Sequence, residues 1–107
     1  MFSLMSKTWI PRPLRRAVLA RDAAFYCVYC VHGQGPQEID HVVSEDDAGP
    51  TEAANLVVCC EWCNSRKGVM DLDLFATYLE RRGKGKAATI IARVLYQLAL
   101  PVSSPTE

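Results

Sequence analysis

The chain of 107 residues has no excess of either charge, with 12 Lys+Arg against 12 Asp+Glu. A balanced chain is neither a uniformly basic coat for nucleic acid nor an acidic solvating tail, so charge has to be read locally. No apolar run approaches the roughly 18 residues a membrane-crossing helix needs, and no membrane partner is expected. The opening Met1-Phe2-Ser3-Leu4-Met5-Ser6-Lys7 has neither a long apolar stretch nor a small-residue cleavage site, so no secretory leader is expected. Solenoid repeats and low-complexity blocks are missing as well. The length suits one domain, 1–107, and a core that small leaves stability thin without a cross-link or a metal. Cysteine breaks the pattern: there are five. An odd count without a leader argues against a secreted disulfide framework. A reducing, cytoplasmic compartment is expected, and paired reduced cysteines point to metal.

Thr8 to Pro13 reads as extended, because a proline restricts the residue before it. Leu14 to Arg21 reads as a helix with Leu14, Val18 and Leu19 on one stripe. Glu38 to Val43 and Asn55 to Cys60 are strand-like, separated by the turn-rich Ser44 to Pro50. Glu61 to Lys67 is helix-compatible, with Gly68 as its stop. Leu72 to Arg82 is a further helix with Leu72, Phe75, Ala76 and Leu79 facing inward. Ala87 to Leu100 is the last, with Ile90, Ile91, Val94, Leu95 and Leu98 apolar, and Ser103 to Glu107 is expected to fray.

Cys27-x-x-Cys30 and Cys60-x-x-Cys63 are two knuckles. A tight turn brings two sulfurs separated by two residues to one side, and two such turns complete a tetrahedral four-thiolate shell, the closed geometry of structural zinc. The zinc would supply on the order of 10 kcal/mol of folding free energy. The competing readings are disulfides or ordinary buried thiols. Strand alternation points Cys59 away from Cys60, so Cys59 is expected to pack as a small apolar residue. A register in which Cys59 replaces Cys60 breaks the knuckle spacing.

Between and beside the knuckles stand Glu-Ile-Asp40-His41-Val-Val, then Asn55-Leu-Val-Val-x-Cys-x-x-Cys-Asn64, then Ser-Arg66-Lys67-Gly. From about Arg16 to Gly68 the pattern resembles the HNH endonuclease family. The resemblance implies an α+β fold. Its small ββα-metal core, residues 16–68, would carry a structural zinc, flanked by an N-terminal helix and by a C-terminal helical extension at 71–100. It also implies roles. His41 matches the general base. Asn55 matches the middle residue that holds the hairpin loop and helps orient the imidazole. Asp40 and Asn64 match the two ligands of a catalytic cation.

These residue types suit phosphodiester hydrolysis. An imidazole with an ordinary pKa of about 6.5 takes a proton from water near neutral pH, worth about 10²–10⁴ in rate. A carboxylate and an amide carbonyl are hard oxygen donors suited to Mg²⁺ or Mn²⁺. Two protein ligands leave room for water and a phosphate oxygen. Adjacent residues on a regular strand point to opposite faces, so the strand must bend or end at His41 for both groups to serve one phosphate.

The expected partner is DNA. Basic residues gather before the first knuckle (Lys7, Arg12, Arg15, Arg16, Arg21), after Asn64 (Arg66, Lys67), and at Arg81, Arg82, Lys84 and Lys86. Acids gather at Glu45, Asp46, Asp47 and Glu52. Arg66, Lys67, Arg15 and Arg16 are the candidate phosphate contacts. The last helix is expected either to complete the core against the Leu14–Leu19 helix or to form the seam of a homodimer or larger complex. The alternative to an endonuclease is a catalytically silent zinc-containing nucleic-acid-binding module.

Overall fold

Pro11 and Pro13 set the start of the first helix. The computed structural model describes residues 9–103. In it, α1 runs Arg12–Arg21, two residues earlier than the proline argument suggests, with Pro11 at its N-cap. Proline is tolerated in a first turn because the N–H it lacks has no intrahelical partner there. The expected fraying of the C-terminal tail and the basic Lys7 fall mainly or wholly outside the described residues.

The first knuckle follows α1 and closes on itself through the bridge Cys27↔Val31. Strand β1 is Gln37–His41 and β2 is Leu56–Cys60, paired antiparallel from Gln37↔Cys60 to His41↔Leu56. β1 ends at His41, but Asp40 and His41 are both in register with β2, opposite Val57 and Leu56, so the two side chains leave opposite faces of the strand. The connection holds two 3-10 turns, Glu45–Asp47 and Ala53–Asn55. Helix α2, Glu61–Lys67, begins directly after β2, and Gly68 ends it at φ 50°. Helix α3 is Leu72–Arg81, capped by Asp71, whose Oδ1 accepts from Leu74 N–H at 2.8 Å, and α4 is Ala87–Ala99. The architecture is α+β: a two-stranded antiparallel sheet with four helices among the described residues.

β2 is buried at every position, which is why its sequence is a continuous apolar run rather than an alternating one. Val57 and Cys59 pack with Tyr29, Phe75, Leu79, Ile90 and Val94; Leu56 and Val58 pack with Ile10, Val18, Leu14 and Leu19. The hairpin thus separates two apolar clusters, with α1 serving one and α3 and α4 the other. This corrects the expected pairing of the last helix with the Leu14–Leu19 helix. The α1 stripe is used on the hairpin, and α4 lies along α3.

The contact between α4 and the end of α1 is polar. Gln97 is buried, whereas Leu95 of the apolar set is exposed, and Gln97 donates from Nε2 to Asp22 Oδ1 at 2.8 Å. Asp22 also accepts Val58 N–H at 3.0 Å and pairs with Arg21 at 2.7 Å, while Arg21 Nη1 donates to Ala53 O at 2.8 Å. One buried ion pair, saturated with hydrogen bonds, ties α1, β2 and α4 together. Arg93 performs a similar task at the first knuckle, donating to Val28 O at 2.6 Å and Tyr29 O at 2.8 Å.

Candidate functional site

The two knuckles meet as their spacing predicts. The sulfurs of Cys27, Cys30, Cys60 and Cys63 all lie within 4.8 Å of one another. Cys30 and Cys60 Sγ are 3.9 Å apart, against about 3.8 Å between ligands of a tetrahedron with 2.3 Å Zn–S bonds. Each knuckle repeats one local device: Cys30 N–H donates to Cys27 Sγ at 3.4 Å, and Cys63 N–H donates to Cys60 Sγ at 3.4 Å. Cys60 is therefore both the N-cap of α2 and a candidate ligand.

Without a cation, four sulfurs this close cannot all ionise. The hydrogen bond with Cys30 pushes the Cys27 thiol up to about 12. Hydrogen bonds with Cys27 and Cys30, then burial, hold Cys63 far above its ordinary value. The same contacts pull Cys30 down to about 2. A divalent ion supplies the charge that lets all four be thiolates, so the cluster is compatible with zinc. Cys59 stays outside it, buried in the core, with burial first among the causes that raise its thiol well above the ordinary value.

Asn55 clamps the hairpin connection. Its Oδ1 accepts Val43 N–H at 2.9 Å, and its Nδ2 donates to Val43 O at 3.0 Å and Pro50 O at 2.9 Å. Gly49 sits inside this clamp, where a Cβ would stand 1.8 Å from Val43 O, so only glycine fits. The clamp fixes Pro50, and the next residue, Thr51, places its Oγ1 2.8 Å from His41 Nε2. The imidazole is half-buried.

Asp40 faces the other way, into the space between β1, α2 and the first knuckle. Its Oδ2 accepts Tyr29 O–H at 2.6 Å and pairs with Lys67 Nζ at 3.1 Å. Lys67 also donates to His41 O at 3.0 Å. Burial raises the Asp40 carboxyl above its ordinary range, against the opposing pull of Lys67, Tyr29 and His41. Burial likewise drives the Tyr29 phenol well up, with the Asp40 charge second. Asn64, on α2, donates from Nδ2 to Glu38 Oε1 at 2.5 Å.

The structure thus brings Asp40 and Asn64 to one seam, where β1 meets α2, through Lys67 and Glu38. Among the described residues no hydrogen bond joins the His41 ring to Asp40 or Asn64. Lys67 is not the surface phosphate contact suggested by its place beside Arg66. It is 1% exposed and neutralises Asp40. At 100° per residue, neighbours on a helix take different faces, and Arg66 is the one left outside, its guanidinium 4.5 Å from the Trp62 ring. Arg15 and Arg16 are exposed on α1.

Sequence reasoning passed over Glu38, Tyr29 and Thr51. Glu38 was findable, since two residues before Asp40 on a strand is the same face. Thr51 and Tyr29 carry no local pattern that marks them.

Two cysteine pairs, a hairpin and a following helix with His41, Asn55 and Asn64 at their junctions form a combination that can be compared with known proteins. Residues 26–69 match the HNH endonuclease family. The HNH match spans both knuckles, β1, the clamped connection, β2 and α2, and leaves α1, α3 and α4 outside. It points to a nuclease-type or nucleic-acid-binding function. No curated protein and no solved structure matches the chain. Among the described residues no helix is long and apolar enough to cross a membrane.

Proposed function

We propose that this protein is a metal-dependent DNA endonuclease, with zinc on the four cysteines as a structural ion and one Mg²⁺ or Mn²⁺ as the catalytic ion. The observation that carries the reading is the joint placement of Asp40 and Asn64 at the β1–α2 seam, directly beside the strand end that bears His41, within the HNH match.

The donor set suits the catalytic cation. Lys67 and Tyr29 use one oxygen of Asp40, and Oδ1 has no protein partner among the described residues. Glu38 holds the Asn64 amide by its nitrogen, which leaves the carbonyl oxygen as the free donor. Both free atoms are hard oxygens, the ligand class that Mg²⁺ and Mn²⁺ prefer. When bound, the ion would stabilise negative charge on the phosphate and on the leaving 3′ oxygen.

The chain's own groups do the rest. His41 takes the proton of the attacking water. With Nε2 held by Thr51, Nδ1 is the nitrogen left to accept it. Asn55 keeps the connection closed, so the ring does not wander from the strand end.

Supercoiled plasmid with added Mg²⁺ or Mn²⁺ tests the reading. His41→Ala is expected to lower cleavage by about 10²–10⁴ while leaving zinc content unchanged. Equal cleavage by parent and variant overturns the mechanism. One observation favours a second reading, a silent binding module: the Asp40 oxygen committed to Lys67 is lost to a cation. DNA binding without cleavage under any divalent ion is the result that selects it.

A further inference from the structure

We propose that Arg66, Lys84 and Arg82, mounted on the rings of Trp62 and Tyr78, form a docking surface for the phosphate backbone of a nucleic acid, on the flank of α2 away from the candidate catalytic seam. The inference rests on a nucleic-acid partner but not on cleavage.

The surface is created by folding. Arg66 Cζ lies 4.5 Å from the centre of the Trp62 ring, and Lys84 Nζ lies 4.8 Å from the same ring. Arg82 Cζ lies 4.3 Å from the Tyr78 ring. Arg66 and Lys84 belong to basic groups that stand well apart in the chain. Only the packing of the turn after α3 against α2 brings them onto one indole. Tyr78, Arg82 and Lys84 lie outside the HNH match, so the C-terminal segment adds them to Trp62 and Arg66, which lie inside it.

Three physical arguments identify the partner as a polyanion. Two cations held on one ring concentrate positive charge there, which a polyanion offsets. Among the described residues none of the three cations has an ion pair. Glu80 on α3 is committed to the Ala87 N–H at 2.7 Å, and the Glu61 carboxylate lies against Gly35. Finally, the rings already hold Arg66 and Arg82 at 4.5 and 4.3 Å, so part of the side-chain freedom that phosphate binding costs is given up beforehand.

The placement suits a strand that also reaches the seam. On α2, Asn64 and Lys67 face the hairpin, and Trp62 and Arg66, four residues apart, take another face. A helix is about 10 Å across. That is about three nucleotides of axial rise at ~3.4 Å each. Phosphates flanking the reacting one would therefore fall on the basic surface. The acidic Glu45–Asp47 turn belongs to the hairpin connection, a separate part of the chain.

The test uses the full zinc-loaded chain in a Trp9→Phe background, which leaves Trp62 as the sole tryptophan. A short DNA duplex is titrated without divalent cation, so binding is read apart from cleavage. Trp62 emission is expected to change and saturate with binding. The triple variant Arg66→Gln, Arg82→Gln, Lys84→Gln is expected to bind at least about tenfold more weakly, with the log K against log salt slope reduced by about 2 to 3. Zinc content and thermal midpoint should stay at parent values. An unchanged affinity and slope overturns the proposal, as does silent Trp62 emission at saturation. Binding of polyglutamate in preference to DNA also overturns it, by pointing to an acidic protein partner. Loss of cleavage in His41→Ala with binding intact leaves this surface standing. Failure of the surface leaves the His41 result standing.

Discussion

The proposed mechanism assigns Thr51 the choice of His41 nitrogen. Its hydroxyl lies 2.8 Å from Nε2, and as acceptor of an Nε2–H it would leave the Nδ1 lone pair for water. Replacing Thr51 by Val removes the acceptor while keeping the branched shape, and cleavage is expected to fall by about tenfold or more; Thr51→Ser should restore most of it. Nitrogen-15 spectra of the imidazole check the cause, since Thr51→Val should lose the Nε2–H tautomer that the parent and Thr51→Ser retain. Strain at single residues falls in the first knuckle and in the hairpin connection. Val31, closing the first knuckle, has φ 75°, and Ala48, before the clamped Gly49, has φ 65°. A β-branched residue in the left-handed region persists only where its surroundings fix it. At Val31 those surroundings are the reciprocal backbone hydrogen bonds with Cys27, at 2.7 and 3.3 Å.

β1 and α2 are held together by two side-chain pairs with different energetics. Glu38 to Asn64 is a hydrogen bond between half-buried groups, and Asp40 to Lys67 is a buried ion pair completed by Tyr29. A buried pair adds little net stability over apolar groups of similar volume, but breaking it leaves one unmatched charge out of water. Lys67→Met is therefore expected to cost about 3–5 kcal/mol in urea unfolding. The double variant Asp40→Asn, Lys67→Met should regain a large part of that loss, because no lone carboxylate remains. If the single and double variants unfold at the same midpoint, the pair is not what couples strand to helix. The Lys67 bond to the carbonyl of His41 extends the coupling to the proposed base.

Over the whole molecule, the four cysteines link the segment before the hairpin to the segment after it. Cys27 and Cys30 stand between α1 and β1; Cys60 and Cys63 stand at the junction of β2 and α2. The apolar clusters on the two sides of the hairpin are small, and Cys27, Cys60 and Cys63 belong to one of them. Removing a bound zinc would exchange one shared cation for thiols that must reprotonate inside that core. Stoichiometric zinc, near one per chain, is expected in the purified protein, and chelation should abolish the cooperative unfolding transition with loss of helical circular dichroism. Retention of a cooperative transition after complete metal removal would show that the apolar clusters suffice alone.

Cysteine spacing, strand-like runs and helix periodicity were enough to place the metal cluster, the hairpin, α2, α3 and α4 within a residue or two. Each depends on local chemistry, in which a turn, an alternation or a stripe is complete within a few residues. Asn55 was legible only through the resemblance to the HNH pattern, because a residue where a turn enters a strand is by itself an ordinary turn residue. Other assignments depended on the fold. Arg66 and Lys67 are adjacent and alike in charge, yet one meets solvent and the other a buried carboxylate. Thr51 reaches His41 only because Asn55 and Gly49 fold the connection back. The face that α4 covers is the side of the hairpin that α1 leaves open. Burial and charge partnership are properties of what lies across space, and no short stretch of chain contains that information.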